Sequence, residues 1–347
     1  MKKKVLLMGA SGSGKTSMRS VIFSNNPASL TSRLGATIDV EQNHVRFLGD
    51  LILNLWDCGG QDAFMDSYLA LQQSTIFQHV GVLIYVFEVE LRNMAKDLEY
   101  YRNCLAALQR YSPDAAVFLL VHKMDLARDK VAVLERKTHE LKQASDGVEI
   151  TVFGTSIYDE SLYKAWSRIV HTLIPNAVVL SKHLTTLARA CSATEVILFE
   201  RTTFLVIATS SLPPTSTLPL ASPPTMSPAY STPSSSHTNG LTPTTFSHGS
   251  AALEPTDIDP HKLPVTRYER TSELIKAFKH ACSRVREEFH ALEMELADFT
   301  AVLDELTKNT YVLIVVHDPT IETAALRMNI RLARKKFEEL QGDSLVS

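Results

Sequence analysis

A glycine-rich turn near the start of the chain constrains its fold more than any other feature. An apolar run at residues 5–8 leads directly into GASGSGKT at residues 9–16, which fits the phosphate-binding pattern G-x-x-x-x-G-K-[ST]. Its backbone N–H groups would point at phosphate oxygens, and the following helix would add the positive end of its dipole. Lys15 would reach the β- and γ-phosphates, and the Thr16 hydroxyl would bind Mg²⁺. We expect the nucleotide to contact Ser11, Gly12, Gly14, Lys15, Thr16 and Ser17.

Composition narrows the class of protein. The 347 residues are enough for two domains, and a formal net charge of -3 gives no reason to expect nucleic acid or a charged membrane surface as a partner. No apolar run reaches the length of a transmembrane helix. Residue 2 is lysine and no cysteine lies near the last residue, so we expect no direct myristoyl or prenyl anchor. The four widely spaced cysteines indicate free thiols in a reducing compartment.

Two later segments fit the same nucleotide site. Thr37 follows the glycine-rich turn by about twenty residues, where nucleotide switches place a threonine that closes on Mg²⁺ and the γ-phosphate. An apolar strand ends on Asp57, and a buried carboxylate needs a partner, for which Mg²⁺ held through water is the natural choice. Gly60 leaves an N–H for the γ-phosphate, and Gln61 can orient the attacking water. We predict Thr16, Thr37 and Asp57 as metal residues and Gln61, Lys15 and Thr37 as catalytic residues.

Strands and helices alternate through the first half of the chain. Residues 81–87 and 116–121 are continuous apolar runs, as expected of central parallel strands, and residues 94–110 between them have helical spacing. This order predicts an α/β fold with a doubly wound sheet. Such sheets bind ligands at the carboxyl ends of their strands, and all the motif loops fall at that edge.

A further segment predicts which base is bound. The run HKMD directly follows an apolar strand, and Asp125 can accept both the N1–H and the 2-amino group of guanine. The stem of Lys123 can lie over the base. The usual pattern is N-K-x-D, whose asparagine braces the phosphate loop, so His122 departs from it and weakens the base assignment. Ser156 and Ile157 lie where the last guanine-contacting loop of such domains is expected.

The second half of the chain changes in composition. Residues 209–262 are rich in Pro, Ser and Thr, and no Lys or Arg occurs between residues 202 and 261. This composition predicts a disordered insertion. We predict a nucleotide domain at residues 1–175 and a second domain at residues 176–347, interrupted by that insertion.

The second domain has a helix-strand-strand pattern on each side of the insertion and a helix at its end. We expect strands at residues 196–199, 203–207, 294–302 and 310–316. A capping box at Thr266 predicts the start of the helix after the insertion, and Asp318 followed by Pro319 predicts the start of the last helix. This α+β layer has no paired acids, nucleophile motif or metal-ligand spacing, so we expect it to contact another protein.

On these residues the chain resembles the Rag-type small GTPases of the RagA/RagB class, the Gtr family of fungi. Six segments resemble that family's nucleotide domain, namely GASGSGKTSMRS, LGATIDVE, NLWDCGGQD, LIYVFEVE, LVHKMDL and LYKAWSRIV. FERTTFLVI and NTYVLIVV resemble its second domain. The resemblance covers the chain outside residues 209–262. His122 agrees with it, because the family itself has histidine at the first position of H-K-M-D.

The resemblance implies a Ras-like P-loop GTPase domain followed by a roadblock-type domain that pairs with a RagC/RagD-type GTPase. Such proteins bind GTP, GDP and Mg²⁺, hydrolyse GTP and relay amino-acid sufficiency to TOR complex 1. They work on the cytoplasmic face of the vacuole or lysosome, held there by a scaffold complex. Gln61 matches the family's water-positioning glutamine. Ser11 replaces a glycine near the γ-phosphate, so we expect the arginine finger of an activating protein to be hindered.

Three classes of function remain open from the sequence. The first is a switch that hydrolyses GTP slowly without an activating protein, which Gln61 and Thr37 favour. The second is a nucleotide-binding scaffold subunit whose hydrolysis is incidental. The third is an ATP-using P-loop enzyme, which Asp125 disfavours.

Overall fold

Two β-sheets organise the part of the chain that the structure describes. This computed structural model describes residues 2–37, 40–48, 51–90, 94–174, 177–211, 267–284 and 289–343. Its strands are β1 (Lys2–Gly9), β2 (Val40–Leu48), β3 (Leu51–Cys58), β4 (Val80–Glu88), β5 (Ala116–His122), β6 (Ile150–Thr155), β7 (Glu195–Glu200), β8 (Val206–Thr209), β9 (Leu292–Glu295), β10 (Thr300–Thr307) and β11 (Thr310–Val316).

Nine α-helices accompany these strands in the described residues. They are α1 (Lys15–Phe23), α2 (Asp62–Ala70), α3 (Gln73–Phe77), α4 (Met94–Tyr111), α5 (Lys130–Ala144), α6 (Ser161–Leu173), α7 (Ala177–Ala190), α8 (Arg267–Arg284) and α9 (Thr323–Asp343). Short 3-10 helices lie at Ala28–Arg33 and Met124–Leu126. The sequence pattern predicted neither α2 nor α3.

The first sheet has the predicted doubly wound α/β arrangement. Its strand order is β2-β3-β1-β4-β5-β6, and every pair is parallel except the edge pair β2 and β3. Alternate residues of β1 enter two different cores. Val5 and Leu7 pack with Met18 of α1, whereas Leu6 and Met8 pack with Tyr101 of α4. Because this part of β1 is covered on both faces, residues 5–8 are all apolar, as the sequence shows.

The second sheet is antiparallel, with strand order β8-β7-β11-β10-β9. This sheet corrects two sequence-based expectations. The strand expected at residues 203–207 instead runs over Val206–Thr209, and residues 294–302 do not form a single strand. The chain turns after β9, and the N–H of Leu296 donates to the carbonyl of Phe299 at 2.9 Å. β10 then runs antiparallel to β9. The apolar residues within this turn made it read as strand.

The start of the last helix is also corrected. Asp318 does not cap α9, which begins at Thr323. Its carboxylate instead accepts from the backbone N–H of Thr320 at 2.9 Å and forms a turn before the helix. The predicted cap at Thr266 and the predicted insertion lie outside the described residues, apart from the first residues after 208.

One hydrophobic core runs from the first sheet to the second. It includes Leu7 of β1, Trp166 of α6, Leu198 of β7 and Ile314 of β11. The predicted domain boundary near residue 175 therefore falls within a region of continuous apolar contact, and the boundary itself stays a prediction. None of the four cysteines, all of which are described, forms a disulfide. No helix of the described residues is long and apolar enough to cross a membrane.

Candidate nucleotide-binding site

The glycine-rich turn between β1 and α1 wraps around the side chain of Lys15. Three glycines of the turn have positive φ angles, 135° at Gly9, 82° at Gly12 and 95° at Gly14, which residues with a Cβ rarely adopt. The Lys15 Nζ donates to the carbonyl oxygens of Gly9 at 2.8 Å and Ala10 at 2.9 Å. Burial is the main cause that lowers the pKa of this lysine. The turn thus encloses an amine at the N-terminal end of α1.

A pocket of about 230 Å³ opens beside this turn. Its lining residues are Ser11, Gly12, Gly14, Lys15, Thr16, Ser17, Leu34, Gly35, Ala36, Thr37 and Gly60. All six residues that we predicted to contact phosphate line this pocket. Thr37 and Gly60 reach it from the two later segments, so three separate parts of the chain surround one cavity.

Gly60 packs directly on the glycine-rich turn. Its carbonyl oxygen accepts from the backbone N–H of Ser11 at 2.9 Å. A Cβ at Gly60 would lie 2.5 Å from backbone atoms of Gly9, Ala10 and Ser11, which is closer than real Cβ contacts. Only glycine fits at this approach between the end of β3 and the turn.

The three predicted metal residues meet at the N-terminus of α1. The hydroxyl of Thr16 donates to Asp57 Oδ2 at 2.9 Å and lies 2.5 Å from the hydroxyl of Thr37. Because Thr16 has one hydroxyl proton and gives it to Asp57, Thr37 is the donor between the two threonines. Asp57 is fully buried, and burial raises the pKa of its carboxyl group.

The chemistry of this cluster fits Mg²⁺. Hydroxyl and carboxylate oxygens converge there, and Mg²⁺ prefers such hard oxygen ligands. Asp57 Oδ1 is buried and has no hydrogen-bond partner among the described residues, which is costly for a carboxylate. The described residues hold no group of three or more His, Cys, Asp or Glu side chains suited to a metal. Mg²⁺ at this cluster would therefore complete its shell with phosphate oxygens and water.

Arg19 contacts the same carboxylate and was not predicted from the sequence. Its Nε donates to Asp57 Oδ2 at 3.1 Å, and a terminal nitrogen of the guanidinium donates to Glu41 Oε2 at 2.6 Å. Arg19 follows Thr16 by three residues, and that spacing places the two side chains on one face of α1. This spacing was the signal in the sequence that could have revealed the contact.

The predicted base-contacting residues lie at the carboxyl ends of β5 and β6. The Ser156 hydroxyl donates to Asp125 Oδ1 at 2.5 Å and accepts from the N–H of Tyr158 at 3.1 Å. Lys123 has a positive φ of 62°, and its Nζ lies 2.8 Å from Glu88 Oε1. The loops after β5 and β6 are thereby joined, with the carboxylate of Asp125 at an exposed position.

His122 lies against the phosphate loop, where the usual pattern has asparagine. The ring is 1% exposed, and its Nδ1 lies 2.9 Å from Thr155 Oγ1. A Cβ added at Gly14 would lie 2.6 Å from His122 Cδ2 and 2.9 Å from Nε2. Burial lowers the pKa of His122 to about 4, so the ring is neutral at neutral pH. Ile157, the last residue predicted at the base site, is half-buried against the core.

Comparison with known proteins identifies the family. Residues 4–239 match the model of the Gtr1/RagA G protein conserved region. The chain belongs to the Gtr1/RagA family of G proteins. It is similar to GTP-binding protein gtr1 of Schizosaccharomyces pombe, with 46% identity over 340 residues that cover 97% of this chain and 96% of that protein. It is also similar to Ras-related GTP-binding protein A of Dictyostelium discoideum, with 44% identity over 341 residues and 98% of each chain.

A more distant relative is a second GTP-binding protein of the same organism. GTP-binding protein gtr2 of Schizosaccharomyces pombe is 28% identical over 218 residues, which cover 61% of this chain and 68% of that protein. The G proteins of the Gtr1/RagA family are GTPases. The phosphate pocket described above is formed in part by the glycine-rich turn that fits the phosphate-binding pattern.

Gln61 of this G protein lies beside the pocket and not in its lining. It directly precedes α2, and its backbone carbonyl accepts from the N–H of Met65 at 3.0 Å. The side chain is half-buried, and its Oε1 has no hydrogen-bond partner within the described part of the chain. Gln61 is thus the neighbour in sequence of Gly60, which lines the pocket. Its role in orienting the attacking water stays a prediction.

Proposed function

We propose that this G protein is a molecular switch that binds GTP and GDP with Mg²⁺ and hydrolyses GTP slowly unless an activating protein assists it. The observation that carries the proposal is the cluster of Thr16, Thr37 and Asp57 beside the phosphate pocket. Thr37 comes from a loop, whereas the other two come from α1 and β3. Because Thr37 lies in a loop and contacts residues of a helix and a strand at the metal position, the conformation of this loop would depend on the nucleotide that is bound.

We infer a role for each residue of the pocket and of the metal cluster. Thr16 and Thr37 would offer hydroxyl oxygens to Mg²⁺, and Asp57 would hold water on it. When bound, Mg²⁺ neutralises charge on the phosphates. Lys15 would exchange its two carbonyl partners for oxygens of the β- and γ-phosphates. The N–H groups of the glycine-rich turn and the N-terminus of α1 would hold the remaining phosphate charge.

Guanine specificity rests on Asp125. Ser156 fixes one oxygen of this carboxylate, so the group is oriented before a base arrives. Both donors of guanine could then be accepted at one carboxylate, and adenine lacks that pair of donors. A competition assay with GTP and ATP tests this assignment. Equal affinity for the two nucleotides would instead favour an ATP-using P-loop enzyme.

Substitution at Thr16 tests the metal cluster. Thr16→Asn removes the hydroxyl that joins Thr37 and Asp57, and we expect GTP affinity to fall at least tenfold more than GDP affinity, because Mg²⁺ offsets the extra charge of the triphosphate. Thr16→Ser keeps the hydroxyl and serves as the matched control. The affinities are measured with fluorescent analogues in Mg²⁺ and in chelator. Equal losses for both nucleotides would show that Thr16 does not bind the metal.

A scaffold subunit with incidental hydrolysis is the second candidate. The position of Gln61 outside the pocket lining favours it. Gln61→Leu decides between the two candidates, because leucine cannot orient water. For a switch, we expect nucleotide affinity near that of the unaltered chain and loss of the hydrolysis stimulated by an activating protein, measured in single turnover. For a scaffold, the stimulated rate would be absent in both chains.

We further propose that the second sheet pairs with a RagC/RagD-type GTPase as a roadblock-type domain. Support comes from the family and from relatives named gtr2 and Ras-related GTP-binding protein C, which are related G proteins. The expected result is a one-to-one complex with a Gtr2-type chain by size-exclusion chromatography and light scattering. A stable monomer at micromolar concentration in the presence of that chain would contradict it.

The pathway is proposed on the same basis. The heterodimer would relay amino-acid sufficiency to TOR complex 1 from the cytoplasmic face of the vacuole or lysosome, where a scaffold complex would hold it. Support comes from family membership. Removal of the gene should abolish the response of TOR complex 1 to amino acids, and a fluorescent fusion should mark the vacuole rim only when the scaffold is present.

A further inference from the structure

A groove lies between α6 and β8, on a part of the molecule that the nucleotide site does not use. Its volume is about 380 Å³, which is within the range of pockets that hold small ligands or short peptide segments. One wall comes from α6, and the floor comes from β6 and β8. The groove therefore has a polar wall beside an apolar floor.

The wall carries positive charge that no residue in the described part of the chain neutralises. Lys164, Arg168 and His171 all line the groove, and their spacing of four and three residues places them on one face of α6. No ion pair or side-chain hydrogen bond joins any of the three to another described residue. Burial and the neighbouring Arg168 lower the pKa of His171, so the charge at neutral pH comes from Lys164 and Arg168.

The floor of the groove is apolar. Phe153 of β6 and Val206 of β8 are only half-buried there. β8 is the outermost strand of its sheet, yet two of its backbone groups are already satisfied. The Val206 N–H donates to the Ser167 hydroxyl at 3.1 Å, and the Thr209 carbonyl accepts from the hydroxyl of Ser181. Addition of a strand at these groups is therefore disfavoured, and recognition would use side chains.

We propose that this groove binds an extended acidic segment of another protein in which acidic and apolar residues alternate. Lys164 and Arg168 are separated by about 6 Å along the helix, at 1.5 Å per residue. Two residues of an extended chain span nearly the same distance, and residues two apart point to the same side. Acidic residues at alternate positions would face the cations, while the apolar residue between them would point away from α6 and onto the floor.

A bilayer surface fits the groove less well than a peptide. Among the described residues, two fully charged side chains line it, and anchoring to anionic lipid takes larger basic clusters. The apolar floor lies between elements of the fold and not on a protruding face. An extended chain reaches that floor, and a flat surface does not.

The test uses the full-length chain and a fluorescein-labelled eight-residue peptide of alternating Glu and Leu, with binding followed by fluorescence anisotropy. The double substitution Lys164→Glu and Arg168→Glu should weaken binding at least about tenfold. The matched control is Arg136→Glu with Lys142→Glu, which reverses two exposed charges on α5 away from the groove. It should change binding less than about twofold. Nucleotide affinity should be the same in all three chains.

Changes in the peptide test the two halves of the recognition separately. Exchange of Glu for Gln, or of Leu for Ser, should each weaken binding about tenfold. The proposal is overturned if the groove substitutions leave binding unchanged, if the Ser peptide binds as well as the Leu peptide, or if no binding occurs at about 1 mM peptide. Self-association of the chain that the groove substitutions abolish would show that a second copy occupies the groove and would overturn it as well.

Discussion

At the scale of single residues, the imidazole of His122 connects the phosphate loop with the base site. It lies against Gly14 on one side and reaches the Thr155 hydroxyl on the other. An asparagine would offer less surface to the glycine, whereas the ring fills the space. The ring is kept neutral by its burial, so the contact depends on pH.

We expect His122→Asn to remove part of the acid sensitivity of the fold. The pKa of His122 is about 4 in the folded chain and about 6.5 when unfolded, so between these values the unfolded chain binds more protons. The free energy of unfolding therefore falls as pH drops from 6.5 to 4, by up to about 3 kcal/mol from this group. Urea unfolding at pH 4.5, 5.5, 6.5 and 7.5, a series of about one-unit steps, measures it.

The control for this substitution is His139→Asn, at an exposed position of α5. Asp97, whose pKa burial raises to about 6, contributes with the opposite sign, because its folded form binds the extra proton. Asp97 is present in every chain compared, so its contribution cancels. Parallel stability curves for the His122 variant and the unaltered chain would contradict the prediction.

The sequence predicted the site residues that belong to local patterns and missed those that act across the chain. Lys15, Thr16 and Asp57 are part of short motifs with a known geometry. Arg19 and Glu88 form their ion pairs only after α1, β3, β4 and β5 have come together. The spacing of Thr16 and Arg19 indicates a shared helix face, but no short-range pattern identifies the carboxylate that each cation meets. The packing of the His122 ring on Gly14 is likewise a tertiary contact that no local pattern predicts, and the base assignment stays a prediction.

At the scale of elements, α2 is fastened to α4 by a small polar cluster. Lys96 Nζ lies 2.5 Å from Asp62 Oδ2, and the Tyr100 hydroxyl donates to Asp66 Oδ1 at 3.1 Å. Asp62 directly follows Gln61, and Asp66 lies one turn later on α2. The segment that follows the predicted catalytic glutamine is therefore held at its N-terminal end by exposed side chains.

We expect Lys96→Met to loosen α2 without changing nucleotide affinity. The exposed pair with Asp62 is weak, so amide hydrogen exchange in residues 62–70 should become about two- to fivefold faster. Lys130→Met is the control, since its partner Asp159 belongs to the other side of the site. If exchange in α2 is the same in both variants, the cluster does not hold the helix.

Two of the element boundaries were predicted wrongly, one because the local sequence has no breaker and one because its cap signal forms a different structure. The turn between β9 and β10 contains Leu296 and Phe299 and no Gly or Pro, so the pattern predicted continuous strand. Asp318 and Pro319 have the composition of a helix start, but the carboxylate closes a turn of its own first. An Asp carboxylate can either cap a helix or close a turn before it, and the local sequence is compatible with both structures.

At the scale of the whole molecule, the two sheets share a core, and Trp166 lies in it. The indole is 1% exposed and meets the ring of Phe23 edge-on, with centroids 5.0 Å apart. Phe23 ends the helix that starts at the phosphate loop. The sequence predicted each sheet by its own periodicity, but periodicity carries no information on how two layers join.

We expect Trp166→Ala to destabilise both sheets together, by about 3–5 kcal/mol, because it leaves a large cavity in the shared core. Trp166→Phe keeps most of the ring and should cost less. Native-state hydrogen exchange of β1 and β11 reports on each sheet separately, and both should accelerate to the same degree. Acceleration confined to β1 would mean that the two sheets unfold independently.

The continuous core has a consequence for genetics. A missense change under the second sheet would lower the amount of folded nucleotide site even though it lies far from any phosphate, because both halves draw on the same packing. Loss-of-function alleles under the first sheet and under the second sheet would then have the same phenotype. Alleles that separate the two halves should be confined to exposed positions, and a screen for them would outline the binding surfaces of the chain.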